Sequence, residues 1–469
     1  MSIGNKSLIT IDDLSNEEIE AIFSLADEMS SGGEDYLSLC RGKIMATLFF
    51  EPSTRTRMSF EAAMQRLGGS VISAVDINST SLSKGESIAD MARVVGSYTD
   101  IIVIRHPWEG AAKLVAEYAG VPVINAGDGS HEHPTQTLCD LYTLKKEKGA
   151  IRGLKIALLG DLKYGRTVHS LTYALARFGA IILFRHSPGL EMPKHVLRRL
   201  TMECEGMLKR YEDLNHVTQK KLFPLDAIYI TPHSPHQLAM MTDISIQIEL
   251  KKGVDAIYVT RLQKERLALT AEEQELKKDY PAVDKKFLKE KEFKRALVMH
   301  PLPRIDELAR ELDTDPRSMY FKQAALGVPV RMALIAFLLG AKKVETSGKD
   351  DYFVPRMAYP TYKRGFGVKC PNPKCVTVHE AQFIVPEFKI VNRQPLTLRC
   401  AYCEQETYPK YIASSEWHDG TLESKRYHNA NSHWLQKIKP ENLIIFGSES
   451  DAQAQGFKPS KYATPEEKG

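Results

Sequence analysis

Ser53-Thr54-Arg55-Thr56-Arg57 sets three hydroxyls and two guanidinium groups in five consecutive residues, directly after an apolar run (KIMATLFF) and Glu51-Pro52. Phe60, Ala63, Met64 and Leu67 then recur at helical spacing up to Gly68-Gly69. The five residues therefore fall on the first turn of a helix, with Ser53 as its N-cap. Such a turn offers backbone N–H groups without intrahelical partners and the positive end of a dipole, which suits a phosphate. The hydroxyls add donors, and Arg55 adds a charged fork. A capped, solvated helix start would use Ser and Thr equally well. Two arginines in that turn, however, oppose the dipole unless an anion compensates them. The segment reads as an anion pocket in an enzyme acting on a phosphorylated small molecule.

Other residues supply what chemistry at a phosphate-bearing carbonyl requires. Arg105 ends the apolar run IIVI and opens RHPWEG, at the carboxyl edge where open α/β sheets bind ligands. His133 and Gln136 (HEHPTQ) follow a Gly-rich loop and precede a helix start at Pro134. His133 can donate to a carbonyl oxygen and Gln136 can accept from an NH2 group, although a lone histidine is as readily a surface or core residue. Farther on, Cys370-x4-Cys375 and Cys400-x2-Cys403 form two close pairs about a strand-rich stretch. Four thiolates at this spacing suit a closed, tetrahedral, structural Zn2+ site whose metal supplies most of a small module's folding energy. His379 is a spare donor beside a shell that is already complete. Cys40, Cys139 and Cys204 are scattered and read as small buried hydrophobes.

The elements that must position these residues alternate between short apolar runs and helical patterns, which argues for α/β architecture with largely parallel sheets. Strands are predicted at KIMATLFF, VISAV, IIVI and VPVIN, and a second series at LKIALLGD, IILF, DAIYIT, DAIYVT and ALVMH. Ser15 and Glu18 make a capping box ahead of an early helix, and TQTLCDLYTLKKEKG reads as a helix ending at Gly149. The expected organisation is two doubly wound parallel-sheet domains, 1–150 and 151–340, the second closed by an apolar helix around MALIAFLL that returns to the first. A linker (341–367), a small β-rich zinc domain (368–445) and a tail (446–469) follow, with disorder expected over its charged end GFKPSKYATPEEKG. With 469 residues, two or three domains are expected. At 43% hydrophobic and 26% charged, with net charge +4, the composition is that of a soluble globular protein without the concentrated basicity of a nucleic-acid binder. No apolar run reaches the roughly 18 residues of a membrane span. The N-terminus carries acids where a signal peptide has its apolar stretch. A cytoplasmic location with no nucleic-acid or membrane partner is the expectation.

Taken in order, STRTR, HPTQ, GDLKYGRTVHSL, RLQKER and HPLPRIDEL resemble the aspartate carbamoyltransferases over residues 1–340. STRTR and HPxQ are shared with the ornithine enzymes and imply carbamoyl phosphate alone. His300-Pro301-Leu302-Pro303 stands where ornithine enzymes have a cysteine-containing HCLP, and their Ser-Met-Gly loop has no counterpart. Two separated arginines, Arg166 and Arg261, suit the two carboxylates of aspartate, since each can bind bidentately. DAIYIT followed by Pro232-His233 is an alternative alignment to DAIYVT followed by Arg261, and RLQKER favours the latter. The stretch from Leu190 to Gly253 is longer than the family carries at this point. GDLKYGR lacks G-x-G-x-x-G and does not imply a dinucleotide.

The resemblance implies transfer of a carbamoyl group to L-aspartate in pyrimidine biosynthesis, with no organic cofactor. Ser53, Thr54, Arg55, Thr56 and Arg105 would hold the phosphate. Thr56, Arg105 and His133 would polarise the carbonyl oxygen. Gln136 with the carbonyls of Pro301 and Leu302 would orient the carbamoyl nitrogen, and Arg166, Arg261 and Gln263 would bind aspartate. Ser81 and Lys84 (NSTSLSKGES) resemble donors that reach a neighbour's site, implying a homotrimer with shared sites, with trimers able to pair into hexamers. Glu51, Arg166 and Arg266 resemble ion-pair residues that tie the domains together. CPNPKC…LRCAYCE is similar to the zinc domain of the family's regulatory chain, fused here to a catalytic chain. The regulatory nucleotide-binding domain has no room after Gly340, which implies an assembly role and no ATP or CTP response. Another amine acceptor, or a non-catalytic zinc-bearing scaffold, are the alternative readings.

Overall fold

The computed structural model describes residues 6–31, 36–76, 81–186, 189–203, 211–213, 225–231, 253–261, 283–305, 307–342, 359–363, 365–416 and 425–463, the side chains of 81, 82, 166, 202, 203 and 211–213 excepted. Near the N-terminus, α1 (Asn16–Ser30) starts at the expected capping box. Ser15 Oγ accepts from the Glu18 N–H at 3.1 Å, and Glu18 Oε2 accepts from the Ser15 N–H at 2.7 Å. Four parallel strands follow, β1 (Ile44–Phe49), β2 (Ser70–Val75), β3 (Ile101–His106) and β4 (Val123–Asp128), in the order β2-β1-β3-β4. β3 and β4 are buried at every position, as continuous apolar strands covered on both faces must be. Between and after them lie α2 (Thr54–Arg66), α3 (Ile88–Tyr98), α4 (Ala111–Tyr118) and α5 (Pro134–Lys148). Proline opens α5, and Gly149, at φ +79°, ends it. From β1 the chain moves outward to β2, then returns to β1's other side for β3. The carboxyl ends of β1 and β3 therefore flank a topological switch point.

The second sheet is parallel throughout: β5 (Lys155–Gly160), β6 (Ile181–His186), β7 (Tyr211–Asp213), β8 (Ala227–Thr231), β9 (Ala256–Val259) and β10 (Leu297–Met299), ordered β10-β9-β8-β5-β6-β7. Its switch point lies between β5 and β8. α6 (Arg166–Arg177) and α7 (Lys194–Glu203) accompany it. Helix α8 (Tyr320–Leu338) leaves this sheet and packs against α1, α2 and α5 of the first unit. By length and composition it could cross a membrane, but 61% of its most apolar window is buried inside the protein, which makes it a core helix.

The C-terminal module holds two small sheets. β11 (Thr361–Tyr362), β12 (Phe388–Arg393), β13 (Leu396–Cys400) and β14 (Glu406–Thr407) form one; β15 (Tyr411–Ser414), β16 (Arg426–Asn429), β17 (Leu443–Phe446) and β18 (Lys458–Pro459), ordered β17-β15-β16-β18, form the other. Two expectations are corrected here. The stretch 446–463 is folded and not a disordered tail: a short helix, Glu449–Ala454, is capped by Ser448, and Phe457 and Ala463 are buried beside Tyr427 and Phe446. Only 464–469 lie outside the described residues. The linker 341–367 also contributes to the module, because β11 pairs with β12 and the Tyr362 hydroxyl bridges both backbone groups of Ile445, at 2.7 and 2.9 Å. In both cases single aromatic residues in a polar stretch supply the packing that composition conceals.

The module docks on its own chain. The Glu109 N–H donates to the Lys374 carbonyl and the Val376 N–H to the Glu109 carbonyl, both at 2.9 Å, extending β-like pairing across the junction. Trp108 stacks on His379 with centroids 4.2 Å apart, and Lys113 Nζ donates to the Ala401 carbonyl at 2.7 Å. Ile102, Ile104 and Val115 of the first sheet unit share one apolar cluster with Val376, Leu398 and Tyr402.

Candidate active site

A cleft of about 680 Å3 opens at the carboxyl ends of the two parallel sheets. The residues after β1 supply Ser53, Thr54, Arg55 and Thr56; Arg105 comes from β3, and His133 and Gln136 come from the start of α5. Arg261 comes from the end of β9, and Pro301 and Leu302 follow β10. Ten of the predicted residues thus converge from five chain segments. Ser53 occupies the N-cap position of α2, but its side chain makes no capping bond. The expected capping role is therefore corrected: the backbone at φ −161°, ψ 75° turns the residue toward the cleft that it lines.

The cleft concentrates positive charge. Arg55 opens to solvent there, and partial burial, followed by the like charge of Arg261, presses its pKa below the ordinary arginine value. Two guanidinium groups lining one cleft from different sheet units suit an anionic ligand there. Arg105 is buried, with Nη2 donating to Glu51 Oε1 at 2.7 Å and Nη1 to the Ala126 carbonyl at 3.4 Å. Glu51 holds Arg105, and its expected interdomain partners, the side chain of Arg166 and all of Arg266, lie outside the described residues. His133 is buried, its N–H donating to Ser170 Oγ at 3.2 Å. The Thr135 hydroxyl lies 3.4 Å from His133 Nδ1. A hydroxyl donating there leaves the ring proton on Nε2, the tautomer that can donate to a carbonyl oxygen.

Leu302, at φ +53°, is shaped by its neighbour His300. The Leu302 N–H donates to His300 Nδ1 at 2.8 Å, so the proton sits on Nε2, which donates to Glu307 at 2.9 Å. Burial lowers the pKa of His300, favouring this neutral ring. Arg166 begins α6, whose next residue, Thr167, lines the cleft. Gln263 lies outside the described residues. Lys84 ends the 3-10 turn Ser81–Lys84, is exposed, and is not among the residues lining its own chain's cleft.

Sequence reading missed a buried group behind Gln136. Asp140 Oδ1 accepts from Gln136 Nε2 at 2.8 Å, Gln323 Nε2 at 2.9 Å and Tyr258 Oη at 3.0 Å. Gln323 Oε1 in turn accepts from the His300 N–H at 3.2 Å. The four-residue spacing of Gln136 and Asp140 on a helix was a usable signal. Nothing local marked Tyr258 or Gln323.

In the C-terminal module the sulfur atoms of Cys370, Cys375, Cys400 and Cys403 are all buried and lie within 4.8 Å of one another. The Cys370–Cys403 and Cys375–Cys400 sulfurs are 3.4 and 3.8 Å apart. A tetrahedral centre with metal–sulfur bonds of about 2.3 Å has sulfur–sulfur edges of roughly 3.8 Å, so the set fits a four-thiolate metal centre. His379, the spare donor, instead stacks on Trp108.

Comparison with known proteins agrees with this layout. Residues 6–146 match the family description "Aspartate/ornithine carbamoyltransferase, carbamoyl-P binding domain", and residues 152–338 match its "Asp/Orn binding domain". Residues 364–413 match "Aspartate carbamoyltransferase regulatory chain, metal binding domain". The aspartate carbamoyltransferase catalytic subunit of Picrophilus torridus is 46% identical over 338 residues, covering 72% of this chain and 99% of its own length. That of Thermococcus kodakarensis is 48% identical over 341 residues, covering 71% and 97%. Among solved structures, the catalytic subunit of M. jannaschii aspartate transcarbamoylase aligns with TM-score 0.57 at 43% identity, over 71% of this chain and 98% of that one. Aspartate transcarbamoylase from Trypanosoma cruzi, in complex with N-(phosphonacetyl)-L-aspartic acid, aligns with TM-score 0.57 at 35% identity, over 71% and 96%.

Proposed function

The chain belongs to the aspartate/ornithine carbamoyltransferase family, on its aspartate branch, and we propose that its cleft moves the carbamoyl group of carbamoyl phosphate onto the amine of L-aspartate, giving N-carbamoyl-L-aspartate and phosphate. One observation carries the residue assignment. Arg55, at the helix start after β1, and Arg261, after β9, line one cleft together with Arg105, His133 and Gln136.

The α2 N-terminus with Ser53, Thr54, Arg55 and Thr56 binds the phosphate, and Arg105 spans phosphate and carbonyl. Arg105, Thr56 and the Nε2–H of His133 stabilise the oxyanion as the aspartate nitrogen bonds to the carbonyl carbon. Gln136, with the Pro301 and Leu302 carbonyls, accepts from the carbamoyl NH2. Arg166, Arg261 and Gln263 bind the two carboxylates and aim the amine. The bond to the phosphate oxygen then breaks, and the departing phosphate takes the amine proton. No covalent enzyme intermediate is needed, so the rate enhancement rests on positioning and charge.

Zinc is the metal assigned to the four-thiolate centre, in a structural role. The working unit is a homotrimer in the cytoplasm, with Ser81 and Lys84 completing a neighbour's cleft. The edge position of β2, with Ile72 and Val75 exposed, and the exposure of Lys84 away from its own cleft support that reading. Pairing of trimers into hexamers would be set by the fused module. Colorimetric detection of carbamoyl aspartate with the purified chain, on a panel of amine acceptors and with light scattering on the same sample, tests the reaction and the assembly together. Aspartate should be the preferred acceptor, and comparable rates with ornithine would overturn the acceptor assignment. Mixing inactive Lys84→Ala and Arg55→Ala chains should restore activity, since some mixed sites receive both intact residues. No recovery after verified subunit exchange would rule out shared sites.

A further inference from the structure

Gln136 can discriminate an NH2 group only if its amide oxygen, not its amide nitrogen, faces the ligand. An amide is nearly symmetrical in shape, so something must set which end points inward. In this chain the nitrogen is already committed. Gln136 Nε2 donates to Asp140 Oδ1 at 2.8 Å, one helical turn along α5, which leaves Oε1 as the polar atom turned to the cleft. We propose that Asp140 is a specificity-determining positioning residue: by holding the Gln136 amide in one orientation, it makes the site select a carbamoyl group over an acyl group of the same shape. This rests on the carbamoyl-transfer reading above.

Three features favour this over a purely cohesive role. Asp140 is fully buried, and its carboxylate offers only acceptors, so a flipped Gln136 would set oxygen against oxygen. The same Oδ1 accepts from Tyr258 of β9 and Gln323 of α8, fixing the carboxylate from three elements at once. Gln323 also accepts from the His300 N–H, which joins Gln136 to the loop carrying Pro301 and Leu302. Gln136 and the loop that carries the other two assigned acceptors are therefore tied to one buried group. Burial pushes the Asp140 carboxyl up to about 7, against the pull of the three donors and of Arg331. Oδ2 finds no hydrogen-bond partner among the described residues. A proton taken up there leaves Oδ1 still accepting.

Acetyl phosphate is the probe, because it carries a methyl where carbamoyl phosphate carries NH2. The readout is the acetyl phosphate inhibition constant divided by the carbamoyl phosphate KM, a ratio that general loosening of the fold would not move. Asp140→Asn keeps the shape but weakens the acceptor, and the ratio should fall three- to tenfold. Asp140→Leu, which accepts nothing, should lower it more than tenfold, close to Gln136→Ala. Combining Gln136→Ala with Asp140→Asn should produce no further fall. Should the leucine variant not fold, Asp140→Asn decides alone: a ratio within twofold of the parent chain overturns the inference, even if its thermal midpoint drops. A ratio unchanged in Gln136→Ala overturns the role given to Gln136 and this inference with it. Absence of carbamoyl aspartate from the parent chain would instead overturn the reading of the reaction.

Discussion

Arg55 is a cation placed where the local dipole and a second guanidinium both oppose it, an arrangement that an arriving dianion relieves. Arg55→Ala should therefore cost about 3 kcal/mol of transition-state stabilisation, or roughly a hundredfold in kcat/KM. Steady-state kinetics with less than a tenfold loss would argue against its assignment. Behind His133 stands a second unusual group. Glu132 is buried and accepts a hydrogen bond from Ser170, whose oxygen also accepts from the His133 N–H. Burial raises its pKa from the ordinary 4.5 to about 8. The folded protein thus holds this proton more tightly than the unfolded chain does. Stability falls as pH rises between those two values and levels off above about 8, with a slope of at most about 1.4 kcal/mol per pH unit. Neighbouring His131, raised by Asp128 despite its burial, contributes with the same sign. Comparison with Glu132→Gln isolates Glu132, because His131 is common to both proteins. The parent chain should lose thermal stability relative to Glu132→Gln from pH 5 to 8, and parallel curves over that range would remove Glu132 from the account.

Among the elements, the β3–α4 turn carries two duties. Arg105 at the end of β3 faces the cleft, while Trp108, Glu109 and Gly110 receive the C-terminal module a few residues later. Gly110 caps α4 at φ +84°, and a Cβ there would lie 2.6 Å from Tyr402 Cβ and 2.9 Å from the Tyr402 backbone. Gly110→Val should cost more than about 1 kcal/mol through the backbone alone, and it should also push the module off its seat. Limited proteolysis should then release the module faster than from the parent chain, and an unchanged digestion rate would show the junction tolerates the side chain. Elements of this kind mark what sequence could reveal. Continuous apolar strands, Pro134 and Gly149 around α5, the Ser15–Glu18 box and the paired cysteines each declare themselves through local chemistry. So did every cleft residue sitting on a motif at a strand end. Asp140, Tyr258 and Gln323 come from three elements, with 118 residues between Asp140 and Tyr258 and 65 between Tyr258 and Gln323, and their meeting depends on packing that no local pattern encodes. The same limit hid the folded 446–463 segment, where Phe457 packs with Ala452 and Ala463 against Phe446 in an otherwise polar stretch.

At the scale of the whole molecule, the C-terminal module grips both parallel-sheet units. On the first it holds Glu109, Lys113 and Glu117, the last through the Tyr402 hydroxyl at 3.0 Å. On the second it reaches α7, where Arg199 Nη1 donates to Glu404 at 2.8 Å and Arg198 Nε lies 3.0 Å from Glu406. Glu404 directly follows the ligand candidate Cys403, so the geometry of the four-thiolate centre sets where that carboxylate stands. Structural metal in small modules supplies on the order of 10 kcal/mol of folding free energy, more than the packing of such short strands provides alone. Chelation should consequently unfold the module before the two sheet units and free the inner faces of both α4 and α7. Hydrogen exchange should rise at those two helices while α1 and α8, packed against each other, keep their protection. Trp108 fluorescence should change with the loss of its His379 stack, a signal that Trp108→Phe abolishes. If stripping the metal raised exchange at α4 and left α7 unaltered, the module would be a passenger on the first unit, and its contacts with the second would carry no mechanical weight.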